Sequence, residues 1–237
     1  MITVTNSPRP RIEQLLSDVG RLKGKVQNLE RDYQDCARIS QDAERDLQNA
    51  LWPLRRAESD NAQKDSSFDG RQAMQYIDSS RRDLEQNQRQ FPAIGNDSRG
   101  ASGDFDTARR DLAAIIQDSS AYPSSLTSLR QAEASLQTAD QDHDRADGEG
   151  NWANNRTQQG LSDLRWAESS ARNVSYDRPG QDVSNDARQA SRQVDRTQWQ
   201  TRDASTNLRN ANSYEQRSES GLSSVEQQLR QALAALG

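Results

Sequence analysis

The chain has 237 residues, 31% of them apolar, 28% charged and 5% aromatic, with 31 basic against 36 acidic side chains and a net charge of −5. A typical globular domain is roughly 45–50% apolar with glycine counted, so a thick, round core is excluded; what remains is a thin seam between long helices, or disorder, and periodicity decides between them. Opposite charges are interspersed, as in Glu30-Arg31-Asp32, Arg81-Arg82-Asp83 and Arg109-Arg110-Asp111, so there is no basic stripe to track a phosphate backbone and no nucleic-acid partner is expected.

Residues 1–10 read as an N-terminal extension. Ser7-Pro8-Arg9-Pro10 is a helix start signal, because a first-turn proline gives up an N–H that the helix does not need. From there apolar residues step alternately by three and four: Ile12, Leu15, Val19, Leu22, Val26, Leu29, Tyr33, Cys36, then Ser40, Ala43, Leu47, Ala50, Leu54 and Ala57. That is a heptad seam. Pro53 inside it is expected to kink or restart the helix near Leu51-Trp52. A second helix is predicted from Ser66, where Ser66 and Asp69 resemble a capping box. Its seam is sparse, with Met74, Ile77, Leu84 and Phe91, and the Gly/Ser/Asn/Asp-rich stretch 92–103 reads as a loop. A short helix then carries Phe105, Ala108, Leu112, Ile115 and Ile116, ending near Tyr122-Pro123.

The third seam is small-residue throughout: Leu129, Ala132, Leu136, Ala139, His143, Ala146, Gly150, Ala153, Thr157, Gly160, Leu164, Ala167, Ala171 and Val174. Its phase is unchanged across Gly148-Glu149-Gly150, which favours one straight helix over a hairpin. Asp177-Arg178-Pro179-Gly180 reads as a turn. The last seam runs from Val183 through Ala187, Ala190, Val194, Thr197, Thr201, Ala204, Leu208, Ala211, Glu215, Ser218, Leu222, Val225, Leu229 and Ala232 to Leu236. Such continuity argues against disorder. The expected fold is all-α: an elongated antiparallel bundle of about four long helices, one interrupted, with coiled-coil-like heptad seams. Residues 11–120 form one helical hairpin and 121–237 a second, in one continuous bundle. An echo between Leu51–Ser59 and Leu161–Ser169, followed by Ser67-Phe68-Asp69 and Ser175-Tyr176-Asp177, supports two related hairpins.

Chemistry is scarce. Cys36 is the only cysteine and His143 the only histidine, which excludes disulfides within the chain and multi-histidine metal sites. Both sit on seams, where burial explains them. No phosphate loop, nucleophile elbow or zinc-type cysteine pair is present, so neither enzymatic activity nor a cofactor is expected. Asp140, Asp142 and Asp144 match the first, third and fifth positions of a calcium loop, but Arg145 stands where glycine belongs and Asn151 where a bidentate glutamate belongs. An ion-responsive module using the acidic segment 140–149 is the alternative function. The four tryptophans carry the leading one. Heptad counting puts Trp52, Trp152, Trp166 and Trp199 at outer positions, and large apolar side chains kept in water mark partner surfaces. The leading expectation is a non-enzymatic, rod-like scaffold that binds a protein partner or associates with itself as a homo-oligomer. No basic or strongly apolar face suits a bilayer surface, and no run reaches the roughly 20 apolar residues of a membrane span. The N-terminal residues lack the pattern of a signal peptide; a cytoplasmic location is expected, with export by a signal-independent route left open.

Overall fold

A computed structural model describes residues 7–59, 64–178 and 180–236. Residues 1–6 of the predicted extension and Pro179 of the predicted turn lie outside the described residues. Four long helices pack against each other: α1 (Arg9–Ala57), α2 (Ser67–Asp118), α3 (Pro123–Ser175) and α4 (Ser184–Ala235), with a single 3-10 turn, Ser119–Ala121, after α2. Among the described residues there is no strand. The protein is an all-α helical bundle.

The local signals explain most boundaries. Ser7 Oγ accepts from the Arg9 N–H at 3.3 Å, and α1 begins there with Pro10 in its first turn. Asp65 Oδ1 takes the Ser67 N–H at 2.9 Å, and Asp182 Oδ1 takes the Ser184 N–H at 2.9 Å, each satisfying a donor that the helix start leaves over. The capping box expected from Ser66 and Asp69 does not form. Asp69 pairs with Arg56, the Ser66 N–H donates to Asp177 Oδ2 at 2.7 Å, and Ser66 Oγ is buried with no hydrogen-bond partner among the described residues. Helix α1 continues through Pro53 to Ala57, and α3 through Gly148 and Gly150.

One expectation is overturned. Residues 92–103 are not a loop; α2 runs unbroken across them, with Pro92 inside it. The buried row is Ala73, Ile77, Ser80, Leu84, Asn87, Phe91, Ile94, Ser98, Ala101, Phe105, Ala108, Leu112, Ile115 and Ser119, again stepping by four and three. Ser80, Asn87 and Ser98 are seam residues despite their polarity, so the heptad does not show as an apolar pattern. Packing overrides the loop-like composition. Met74, expected on the seam, is only partly buried and packs at its edge.

Each helix contributes a stretch to each of two compact units: residues 1–32, 94–148 and 210–237 in unit 1, and 33–93 and 149–209 in unit 2. In unit 1 the contacts Lys25–Asp104 (2.6 Å), Arg109–Asp140 (2.8 Å), His143–Glu215 (2.9 Å) and Gln27–Glu219 (2.6 Å) link α1 to α2, α2 to α3, α3 to α4 and α4 to α1. In unit 2 the same ring is closed by Asn87–Ser40 (2.8 Å), Arg81–Glu168 (3.8 Å), Arg156–Asp203 (2.6 Å) and Arg202–Glu44 (2.7 Å). The α1 seam, from Ile12 to Ala57, is buried at every position. The small residues of the other seams have partners. In unit 2 a Cβ on Gly150 would lie 2.7 Å from Tyr33 Oη, so glycine makes room for a fully buried ring. At the start of α2 a Cβ on Gly70 would lie 2.3 Å from the Ser175 backbone nitrogen, so the two helices cross in direct backbone contact.

Candidate functional site

The exposed aromatics are confined to unit 2. Trp52, Phe68, Trp152, Trp166, Tyr176 and Trp199 are each 56–69% exposed, and among the described residues unit 1 exposes no large hydrophobic side chain. The tryptophans stand where heptad counting puts them. Trp152 and Trp166 are two heptads apart on one row of α3, ~21 Å along the helix at 1.5 Å per residue. Trp199 comes from α4 and lines a shallow groove of about 410 Å³ with Arg156, Gln159, Ser162, Asp163, Arg196 and Gln200. The groove's charged side chains are tied to one another. Arg156 Nε bonds Asp203 at 2.6 Å while its guanidinium sits 4.9 Å from the Trp199 ring centre. Gln200 Nε2 and Arg196 Nε both reach Asp163, at 3.0 and 3.2 Å. Trp199 is therefore a braced anchor. Trp52, on α1, is covered by Arg56 at 3.7 Å, and Arg56 is in turn held by Asp69. Phe68 and Tyr176 were visible in the sequence only as part of the internal echo. They stand beside the Gly70–Ser175 crossing, at the ends of α2 and α3.

Unit 1 holds a buried polar cluster instead. His143 and Glu215 are both fully buried, with Nδ1 2.9 Å from Glu215 Oε1. Nε2 faces the Ser98 carbonyl oxygen at 3.1 Å and Ser102 Oγ at 3.3 Å. A carbonyl only accepts, so Nε2 carries a hydrogen, and one further proton lies between Nδ1 and Oε1. Phe105 stacks on the imidazole at 5.3 Å. The order Ser102–His143–Glu215 resembles a nucleophile relay, but the protons run the wrong way. The Ser102 hydroxyl donates to the Ser98 carbonyl at 3.1 Å, Nε2 donates rather than accepts, and the backbone N–H groups around Ser102 are committed to α2, leaving no oxyanion donors. The sequence signal for this pair was two polar residues, His143 and Glu215, on otherwise small or apolar seams.

The acidic segment 140–149 is helical, and alternate residues of a helix point roughly 200° apart. Asp140 turns to Arg109, Asp142 is buried beside Arg145 at 3.0 Å, and Asp144 is exposed. The three carboxylates do not converge, and among the described residues no group of three or more His, Cys, Asp or Glu side chains could hold a metal. Burial, reinforced by Asp144, raises the pKa of Asp140 against the pull of Arg109. Cys36 is buried and its thiol donates to Gln90 Oε1 at 2.8 Å. Among the described residues no helix is long and apolar enough to cross a membrane.

The fold and the exposed face define a four-helix bundle with an aromatic surface. Compared with protein-family models, curated proteins and solved structures, the chain matches none.

Proposed function

We propose that the chain is a non-catalytic structural or scaffold protein that engages a protein partner through the aromatic face of unit 2. The observation that carries this reading is the segregation of the six exposed aromatics to one unit of a chain whose other large apolar residues, among the described residues, are all buried or half-buried. Leaving four indoles in water costs solvation free energy, which contact with a partner would recover. Tryptophan and arginine together are the residue types that dominate binding hot spots, and Arg56 and Arg156 already lie over two of the indoles. The bundle's part is to hold these side chains at fixed spacing.

The test is chemical crosslinking of the whole protein, alone and in an extract of the cells that make it. The comparison is with a variant carrying Trp152→Gln, Trp166→Gln and Trp199→Gln. Crosslinked species that depend on the tryptophans are expected in at least one setting. If the two proteins give the same pattern in both, the aromatic face is not an interface and this reading falls.

A further inference from the structure

We infer that the partner on the α3 side of this face is a second copy of the same chain, packed with its α3 antiparallel to the first about a two-fold axis at Gln159. This rests on the reading of the aromatic face as an interface. Three observations select the occupant.

First, the outer face of α3 in unit 2 is almost free of charge. Around Trp152 and Trp166 the exposed residues are Asn151, Asn155, Gln158, Gln159, Ser162 and Ser169, with Arg165 the one ionised side chain among them; the half-buried Arg156, Asp163 and Glu168 beside them are held in ion pairs with Asp203, Arg196 and Arg172. In a chain that is 28% charged, a helix face bearing two indoles and one exposed charge has the composition of an interface centre, which is depleted in charge and enriched in aromatics. A partner recognised by its own charge would meet Arg165 and charges already paired with each other; a second copy of this face brings no large charge against it.

Second, the row is the same read in either direction. Trp152, Gln159 and Trp166 follow one another at heptad spacing on one line of the helix. A two-fold axis through Gln159 therefore brings Trp152 of each copy against Trp166 of the other, which is what an isologous contact requires. The two Gln159 amides meet at the axis, each with a donor and an acceptor for the other. In that register Arg165 lies level with Ala153 of the other copy, so the two Arg165 side chains are ~18 Å apart along the helix, beyond the roughly 8 Å screening length at physiological salt.

Third, the area suffices. An aromatic side chain offers about 150–250 Å², and Trp152, Trp166 and Trp199 are 61%, 62% and 56% exposed. They alone present on the order of 400 Å² per copy, or ~800 Å² per pair, about half of the roughly 1,600 Å² of a standard interface. The exposed Asn, Gln and Ser side chains of the row add to it.

Sedimentation equilibrium of the whole chain from ~1 to ~200 µM tests this. A reversible monomer–dimer equilibrium is expected, with association more than tenfold weaker for Trp152→Gln/Trp166→Gln at unchanged helix content. Gln159→Cys should form a disulfide dimer under mild oxidation. Thr206→Cys, exposed on α4, should not, and Cys36 is buried and will not compete. A chain that stays monomeric to ~200 µM overturns the inference, and so does a dimer indifferent to the tryptophan changes or to the position of the cysteine. Monomeric protein that forms tryptophan-dependent complexes only in extract removes the second copy and leaves the aromatic face as an interface for another protein. Absence of tryptophan-dependent complexes in either setting removes both.

Discussion

His143 Nδ1 stands 2.9 Å from Glu215 Oε1 with both side chains fully buried in the core of unit 1. Burial disfavours the imidazolium, but the bonded Glu215 carboxylate, the Ser98 carbonyl and the Asp144 charge together hold the His143 pKa above its ordinary value. Burial also raises Glu215, against the pull of His143, with Asp147 and Glu30 adding to the rise. The folded chain thus keeps protons that the unfolded chain releases. Stability changes with pH as protons bound unfolded minus folded, which is negative here, so it falls as pH rises. The histidine's share is fully present below its ordinary value of 6.5 and is lost as pH climbs through the raised folded value. We expect the urea midpoint to fall from about pH 6.5 to pH 9, and the fall to be absent in His143→Leu/Glu215→Leu. A fall of equal size in that double variant would assign it to other groups.

The same pair has an asymmetric mutational signature. A buried ion pair contributes little net stability, because desolvation offsets attraction, yet removing one partner strands the other. His143→Leu leaves Glu215 in the core with only its own protonation to relieve it, and should cost about 3–5 kcal/mol. His143→Leu/Glu215→Leu should recover most of that loss. Urea unfolding of the three proteins checks both statements; a double variant no more stable than His143→Leu would mean that the pair itself stabilises the fold.

How far the sequence reveals this molecule depends on which residues occupy the seam. Helices α1, α3 and α4 were legible because Val, Leu and Ala recur in phase, and the tolerance of Ser40, Thr157 and Thr201 on those rows did not hide the pattern. Helix α2 was only half legible. Its seam uses Ser80, Asn87 and Ser98, with Gly95, Gly100 and Gly103 between helical turns, so local composition argued for a loop while tertiary packing enforced a helix. Asn87 shows how: its Nδ2 bonds both the Cys36 carbonyl at 2.9 Å and Ser40 Oγ at 2.8 Å, contacts with another helix that no window along α2 contains. The outward tryptophans were legible from heptad phase alone. The bond between His143 and Glu215 was not, since pairing across helices depends on axial register, which single-helix periodicity leaves undetermined.

Gly70 is the position least tolerant of a methyl group. A Cβ there would meet the Ser175 nitrogen at 2.3 Å and the Val174 carbonyl carbon at 2.6 Å, and backbone atoms cannot swing aside as a side chain can. Overpacking typically costs 1–3 kcal/mol, and with backbone on the far side Gly70→Ala should cost about 2 kcal/mol or more. It should also loosen the Ser66–Asp177 bond close by, which amide exchange at Ser66 would report. A neutral Gly70→Ala would mean that α2 and α3 do not cross there.

Calcium should do nothing to the fold. Asp142 lies on the opposite side of α3 from Asp140 and Asp144, and Asp140 and Asp142 are engaged by Arg109 and Arg145. Gathering them round one cation would require unwinding a turn of helix and breaking both contacts. We expect no binding heat and no shift in melting temperature at ~1 mM calcium, a level at which even weak extracellular calcium modules bind. A saturable rise in melting temperature would revive the acidic segment 140–149 as an ion-responsive site.

One glycine separates the loop and helix accounts of residues 92–103 without disturbing any contact. Gly103 lies in α2, and a Cβ there would meet nothing within 4 Å. In a helix interior, alanine for glycine reduces the freedom of the unfolded chain and should add about 0.5–1 kcal/mol, or roughly 1–4 °C in melting temperature for a chain of this size. Gly180 provides the opposite sign. Its φ is 91°, in the left-handed region that alanine resists, and a Cβ there also meets nothing within 4 Å, so Gly180→Ala should destabilise through backbone strain alone. The same chemical change is thus expected to raise the melting temperature at one open position and lower it at another. Were Gly103→Ala to lower it too, residues 92–103 would not be helical in solution. The row from Ala73 to Ser119 would then lose its continuity, because Ser98 and Ala101 hold their seam positions only while the helix runs through them.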